Sequence, residues 1–108
     1  QVPSSPADYV RVIFRSLAVR YREVLGYLAE ICPVDIKRLH IIGGGSRNVH
    51  LMQYAADETG LPVVAGPAEC TALGNVLVQL RACGELKSLS DMRRVAVNST
   101  ETVNYLPK

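Results

Sequence analysis

The sequence predicts an α/β fold, a βαβ unit packed together with helices, on three observations. A β-branched run, Arg38-Leu39-His40-Ile41-Ile42, ends abruptly in Gly43-Gly44-Gly45, as a buried strand does when it enters a tight turn. From Asn48 to Thr59 a small-residue apolar face, Met52, Ala55 and Ala56, is followed by Gly60 as a stop and by Pro62. A second apolar run, Leu61-Pro62-Val63-Val64-Ala65, comes next, with its proline near the strand start where it is tolerated. Strand, glycine turn, helix and strand make a βαβ unit, so the two strands should be parallel and the crossover right-handed.

The flanking segments read as helices. Ser5-Pro6-Ala7-Asp8 places a cap, a proline at the first helical position and an acid three residues after the cap. Val10, Phe14, Leu17, Tyr21, Val24 and Leu28 then recur at alternating steps of four and three, which predicts one buried face. A coiled coil needs about three to four sustained heptads, whereas this stripe stops near Pro33, so a core helix is the expectation. Ser46 is the expected cap of the helix after the glycines. A third helix should run from about Glu69 to Cys83, with Leu73, Val76, Leu77 and Leu80 inward and Gly84 as its stop. Ala72, Gly74 and Asn75 crowd its first turns, and suit either close helix packing or a ligand. Ser88 or Ser90 caps a last short helix through Arg94, and residues 98–108 read as a tail.

A chain of 108 residues is long enough for one domain and too short for two lobes. Hydrophobic residues make up 48% and charged residues 20%, far from the composition of a disordered chain. Twelve Lys+Arg against ten Asp+Glu give a charge of +2 with no basic, aromatic-interleaved segment, which argues against nucleic acid as a partner. Cys32, Cys70 and Cys83 are far apart and lack ligand-spaced histidines, so neither a zinc site nor a disulfide scaffold is expected. The first residues, from Gln1, lack the basic and apolar regions of a signal peptide, and no run of about 18 apolar residues could span a membrane. The expectation is a cytoplasmic protein. A start without Met directly before a helix suits a processed or truncated product.

A strand that ends in consecutive glycines and opens a helix lets backbone N–H groups approach phosphate oxygens. Two phosphate loops can be tested here. GxGxxG is met at Gly43 and Gly45 but fails at Asn48, and the Gly-Lys-Ser/Thr of a Walker A loop is nowhere in the chain. On spacing alone, a tight turn and a phosphate site are equally good readings.

A longer pattern decides between them. Ile41-Ile42-Gly43-Gly44-Gly45-Ser46-Arg47-Asn48, then Gln53, Ala56-Asp57, Gly60-Leu61-Pro62-Val63, Gly66-Pro67-Ala68-Glu69 and Ala72-Leu73-Gly74-Asn75, resembles the C-terminal adenosine motif of the FGGY carbohydrate kinases. Gly-Gly-Gly-Ser-Arg-Asn with Gly-Pro-x-Glu and Leu-Gly-Asn is most similar to the rhamnulokinase branch; xylulokinases and glycerol kinases usually carry alanine where Asn75 stands. The resemblance extends over nearly the whole chain and implies residues 1–108 to be the C-terminal portion of the second, nucleotide-binding lobe of a sugar kinase. It also implies a ribonuclease-H-like lobe of the actin, hexokinase and Hsp70 superfamily.

Carried over by position, Gly44 would lie against the nucleotide and Asn48 would hydrogen-bond its adenine or ribose side, while Gly43 and Gly45 keep the turn open. Ser46 and Arg47 are expected to cap and solvate the helix, Gln53 to brace the loop, and Glu69 and Thr71 to cap the third helix. Asp57, with no partner in the sequence, reads as a surface acid. The family's catalytic aspartate, sugar site and N-terminal phosphate loop would precede Gln1, so no catalytic residue is expected and the isolated chain should be inactive. The implied reaction is ATP- and Mg2+-dependent phosphorylation of a ketose such as L-rhamnulose at its 1-position. A stand-alone nucleotide-binding module and a non-binding structural remnant stay open beside it. A βαβ unit cut from a larger sheet leaves edges and an apolar helix face uncovered, so self-association, most simply as a symmetric dimer, is expected.

Overall fold

The computed structural model describes residues 2–108; Gln1, named above in the reading of the N-terminal segment, lies outside them. Helix α1 spans Pro6–Ile31, strand β1 Leu39–Ile41, α2 Val49–Thr59, β2 Val63–Ala65, α3 Cys70–Ala82, α4 Leu89–Ser99 and β3 Val103–Tyr105. A single 3-10 turn, Gly44–Arg47, joins β1 to α2. The fold is a small α/β arrangement on a three-stranded mixed sheet of order β1-β2-β3.

The expected βαβ unit is present. β1 and β2 pair in parallel with Leu39 opposite Val63 and Ile41 opposite Ala65. The tail expected over residues 98–108 is not a tail: α4 continues to Ser99, and β3 pairs antiparallel with β2, Tyr105 opposite Val63. The reason is tertiary, because β2 offers a second free edge and Tyr105 packs against the core. Three residues with a polar Asn104 in the middle carry too little pattern to show this from sequence.

The core lies between α2 and the sheet. Leu51, Met52, Ala55 and Ala56 of α2 are buried with Val63 and Ala65 of β2, and Phe14, Tyr21, Leu39, Ile41 and Tyr105 pack around them. Met52 and Val63 are the largest fully buried side chains, each contributing about 1.5–3 kcal/mol. α1 packs along α2. Polar contacts reinforce that pairing: Arg22 bridges to Glu58 at 2.8 Å, and the Arg15 guanidinium lies 5.4 Å from the Tyr54 ring centre.

Two helix faces depart from expectation. On α1 the inward face is centred on Phe14, Ala18 and Tyr21, with Ala18 fully buried, while Val10, Leu17, Val24 and Leu28 stay at least 40% exposed. α2 is the main element packed against α1, and its contact does not bury these four side chains. On α3 Leu77 is buried but Val76 and Leu80 are exposed, since α4 is its main neighbour.

The consequence is a surface too large for the mass. The chain exposes 7813 Å², whereas a compact monomer of 11.8 kDa exposes about 5,900 Å². Its radius of gyration is 16.9 Å, against about 13 Å for a compact chain of this length. Much of the excess is apolar and follows a three-four spacing on α1: Val10, Ile13, Leu17, Val24, Tyr27 and Ile31.

Candidate functional site

Gly43 leaves β1 at φ 85° and ψ −175°, a conformation essentially reserved for glycine. Its N–H donates to the Pro67 carbonyl at 3.0 Å, which ties the turn to the loop ahead of α3. Ser46 is buried; its backbone N–H and its hydroxyl both donate to the Gly43 carbonyl, at 3.0 and 2.7 Å. Ser46 therefore locks the turn and is not the cap of α2. That cap is Asn48, whose Oδ1 accepts from the Leu51 N–H at 2.9 Å.

The other two glycines differ from the first. Neither Gly44 nor Gly45 has a positive φ, and a Cβ on either would meet no atom within 4 Å. Both are exposed, and among the described residues neither N–H has an acceptor. Nothing inside the chain requires glycine at these positions. Two exposed amides, bare of side chains and without an acceptor among the described residues, therefore stand next to a braced turn.

Beside this turn lies a cleft of about 500 Å³ between Arg47, the Pro67-Ala68-Glu69 loop, one face of α3 and the Ser99-Thr100-Glu101 link. Arg47 pairs with Glu69 across it at 2.7 Å, both side chains largely exposed. Glu69 stands at the N-cap of α3 without making a side-chain cap; the expected capping role is replaced by this ion pair, a contact worth about 0–1 kcal/mol. Thr71 is exposed in the first turn. The far wall falls in the segment that reads as a tail; the signal available for it was the start of α4, where Ser88 and Asp91 form a capping box.

Gln53 braces a different part of the chain than the glycine loop. Its Nε2 donates to Asp57 Oδ1 at 2.8 Å and to the Leu106 carbonyl at 2.9 Å. Asp57 also accepts from the Lys108 N–H at 2.9 Å. That hydrogen bond, with the Gln53 amide, holds the Asp57 carboxyl below its ordinary value. Asp57 thus has partners that pin the C-terminal segment. Among the described residues no three His, Cys, Asp or Glu side chains converge on a metal position.

Residues 1–83 match the model of the C-terminal domain of the FGGY family of carbohydrate kinases. The chain belongs to that family. A relative named rhamnulokinase, from Bacteroides thetaiotaomicron, is 47% identical over 107 residues, covering 99% of this chain. The chain spans 22% of that relative's length. It is thus an FGGY C-terminal part similar to rhamnulokinase, and the family match ends at Cys83, before α4 and β3.

Proposed function

We propose that the chain is the nucleotide-binding C-terminal portion of the second lobe of a cytoplasmic sugar kinase, built on a ribonuclease-H-like core. The whole enzyme would transfer the γ-phosphate of ATP to a hydroxyl of a ketose such as L-rhamnulose. The observation that carries this reading is the pair Gly44 and Gly45: glycines with no steric or conformational need inside the chain, and with N–H groups that have no acceptor. Backbone N–H groups so arranged suit phosphate oxygens. Gly43 keeps the turn open through its positive φ, and the Ser46 hydrogen bonds hold it rigid. Asn48 spends Oδ1 on the α2 cap and so presents its Nδ2 donor to the nucleotide.

In such an enzyme these residues bind and orient. Positioning supplies a large part of the barrier lowering in phosphoryl transfer, and the base that takes the sugar proton must come from elsewhere. Magnesium would be held in such an enzyme largely by the phosphates of the nucleotide. The uncovered apolar stripe of α1 and the excess surface support association, either with the remainder of a longer kinase or, for the chain alone, with a second copy.

Calorimetric titration with ATP and magnesium tests the reading. Asn48→Asp keeps the cap oxygen and removes the Nδ2 donor, so it should weaken binding without loosening α2. Equal affinity of Asn48→Asp and the unmodified chain would remove Asn48 from the site.

A further inference from the structure

The cleft beside the glycine turn has an uneven chemistry. One wall is apolar, built from Pro67, Ala68, Ala72, Leu73 and Val76. Ser99, Thr100 and Glu101 line it as well. Arg47, the cation of this cleft, is neutralised by Glu69 at 2.7 Å. Glu101 is exposed, and among the described residues its carboxylate has neither an ion pair nor a hydrogen bond. The cleft therefore carries a net negative charge and disfavours a phosphate group. It suits a flat, uncharged body with hydroxyl donors at its rim.

The far wall is held in place. The Glu101 carbonyl oxygen lies 2.9 Å from where a Cβ on Gly66 would sit, and Gly66 has φ +107°, so the link presses directly on the loop that carries Pro67. Pro67 in turn accepts from Gly43 at 3.0 Å. A fixed path therefore joins Glu101 to the glycine turn. Thr100 follows α4 with its Oγ1 donating to the Ala96 carbonyl at 2.8 Å, so its proton is engaged, whereas the carboxylate of Glu101, another lining residue, is an acceptor without a partner among the described residues.

We infer that Glu101, on the link between α4 and β3, recognises the ribose diol of the nucleotide while its base lies on the apolar wall of α3. This rests on the nucleotide-binding reading above and adds to it a specificity residue outside the family-matched residues 1–83. A hydrogen bond to an ionised group predicts at least about tenfold discrimination between a nucleotide with and one without its hydroxyls.

The test is calorimetric titration of the full chain with ATP and with 2′,3′-dideoxy-ATP, for the unmodified protein, Glu101→Ala and Glu101→Gln. ATP should bind the unmodified chain about tenfold more tightly than the dideoxy compound. Glu101→Ala should erase that difference by weakening ATP alone, and Glu101→Gln, which keeps an acceptor, should retain part of it. The melting midpoint should not move, because the side chain is exposed. Unchanged discrimination in Glu101→Ala, or equal weakening of both ligands, overturns the role of Glu101 and leaves nucleotide binding standing. Failure of the unmodified chain to bind ATP overturns both.

Discussion

The amide of Gly43 donates to the carbonyl of Pro67 at 3.0 Å, which ties the turn after β1 to the loop before α3. Gly43 holds φ 85°, while Gly44 and Gly45 are open and unstrained. Alanine at the two kinds of position should therefore act differently. Gly43→Ala should destabilise the fold by about 1–3 kcal/mol, measured by urea denaturation. Gly44→Ala should leave the denaturation midpoint in place and weaken ATP binding. A Gly44→Ala chain that binds as well as the unmodified one would mean that the bare backbone serves only the turn.

Asn48 should show two separable effects. Asn48→Ala removes the acceptor for the Leu51 N–H and should cost about 1 kcal/mol of stability. Asn48→Asp should cost little, since its carboxylate caps as well. A thermal melt in which both substitutions cost the same would contradict Oδ1 as the cap.

The loop at Gly66 should be intolerant. A Cβ there would meet the Glu101 carbonyl at 2.9 Å, and φ is +107°. Gly66→Ala should destabilise by roughly 1–3 kcal/mol and, by displacing the C-terminal link, loosen β3. Amide exchange at residues 103–105 would report this as lost protection, and unchanged protection would sink it.

Acid should fray two helices at their starts. Asp8 is held below its ordinary value first by the Ser5 hydroxyl and then by the Ser4 and Ser5 amides. Asp91 is lowered first by the Ser88 hydroxyl, and by the nearby Arg94. A folded-state value depressed below the unfolded one contributes stability above the unfolded value, and this is lost as pH falls through the folded one. Helicity by circular dichroism should thus decline at the acid end of the carboxylate range and below it. Asp8→Asn with Asp91→Asn should flatten that part of the profile.

The chain alone should self-associate. Val10, Ile13, Leu17, Val24, Tyr27 and Ile31 lie exposed along α1, and uncovered apolar area of this kind favours pairing. Sedimentation should show concentration-dependent dimers, and Leu17→Glu should abolish them while α2 and the sheet stay folded. A monomer at high micromolar concentration would count against it.

Local signals foretold much of this architecture. Ser5 and Asp8 form the expected capping box, Gly60 closes α2 in the left-handed conformation, and the glycine turn separates two parallel strands. Properties set by distant neighbours were not legible. Whether Leu17 or Ala18 faces inward depends on how α2 lies against α1, and β3 exists because β2 has a free edge. Within the proposed site, Gly43, Gly44, Gly45 and Asn48 stand out in the sequence. The Arg47–Glu69 bridge and the Glu101 wall join residues 22 positions or more apart and carry no local pattern.

The most direct test of the proposed nucleotide site is the amide NMR spectrum of the chain as ATP and magnesium are added. The account predicts that the Gly44 and Gly45 N–H resonances move downfield and exchange more slowly with water, with the residues of α1 little affected. Saturation with ATP that leaves both glycine amides unmoved would contradict it.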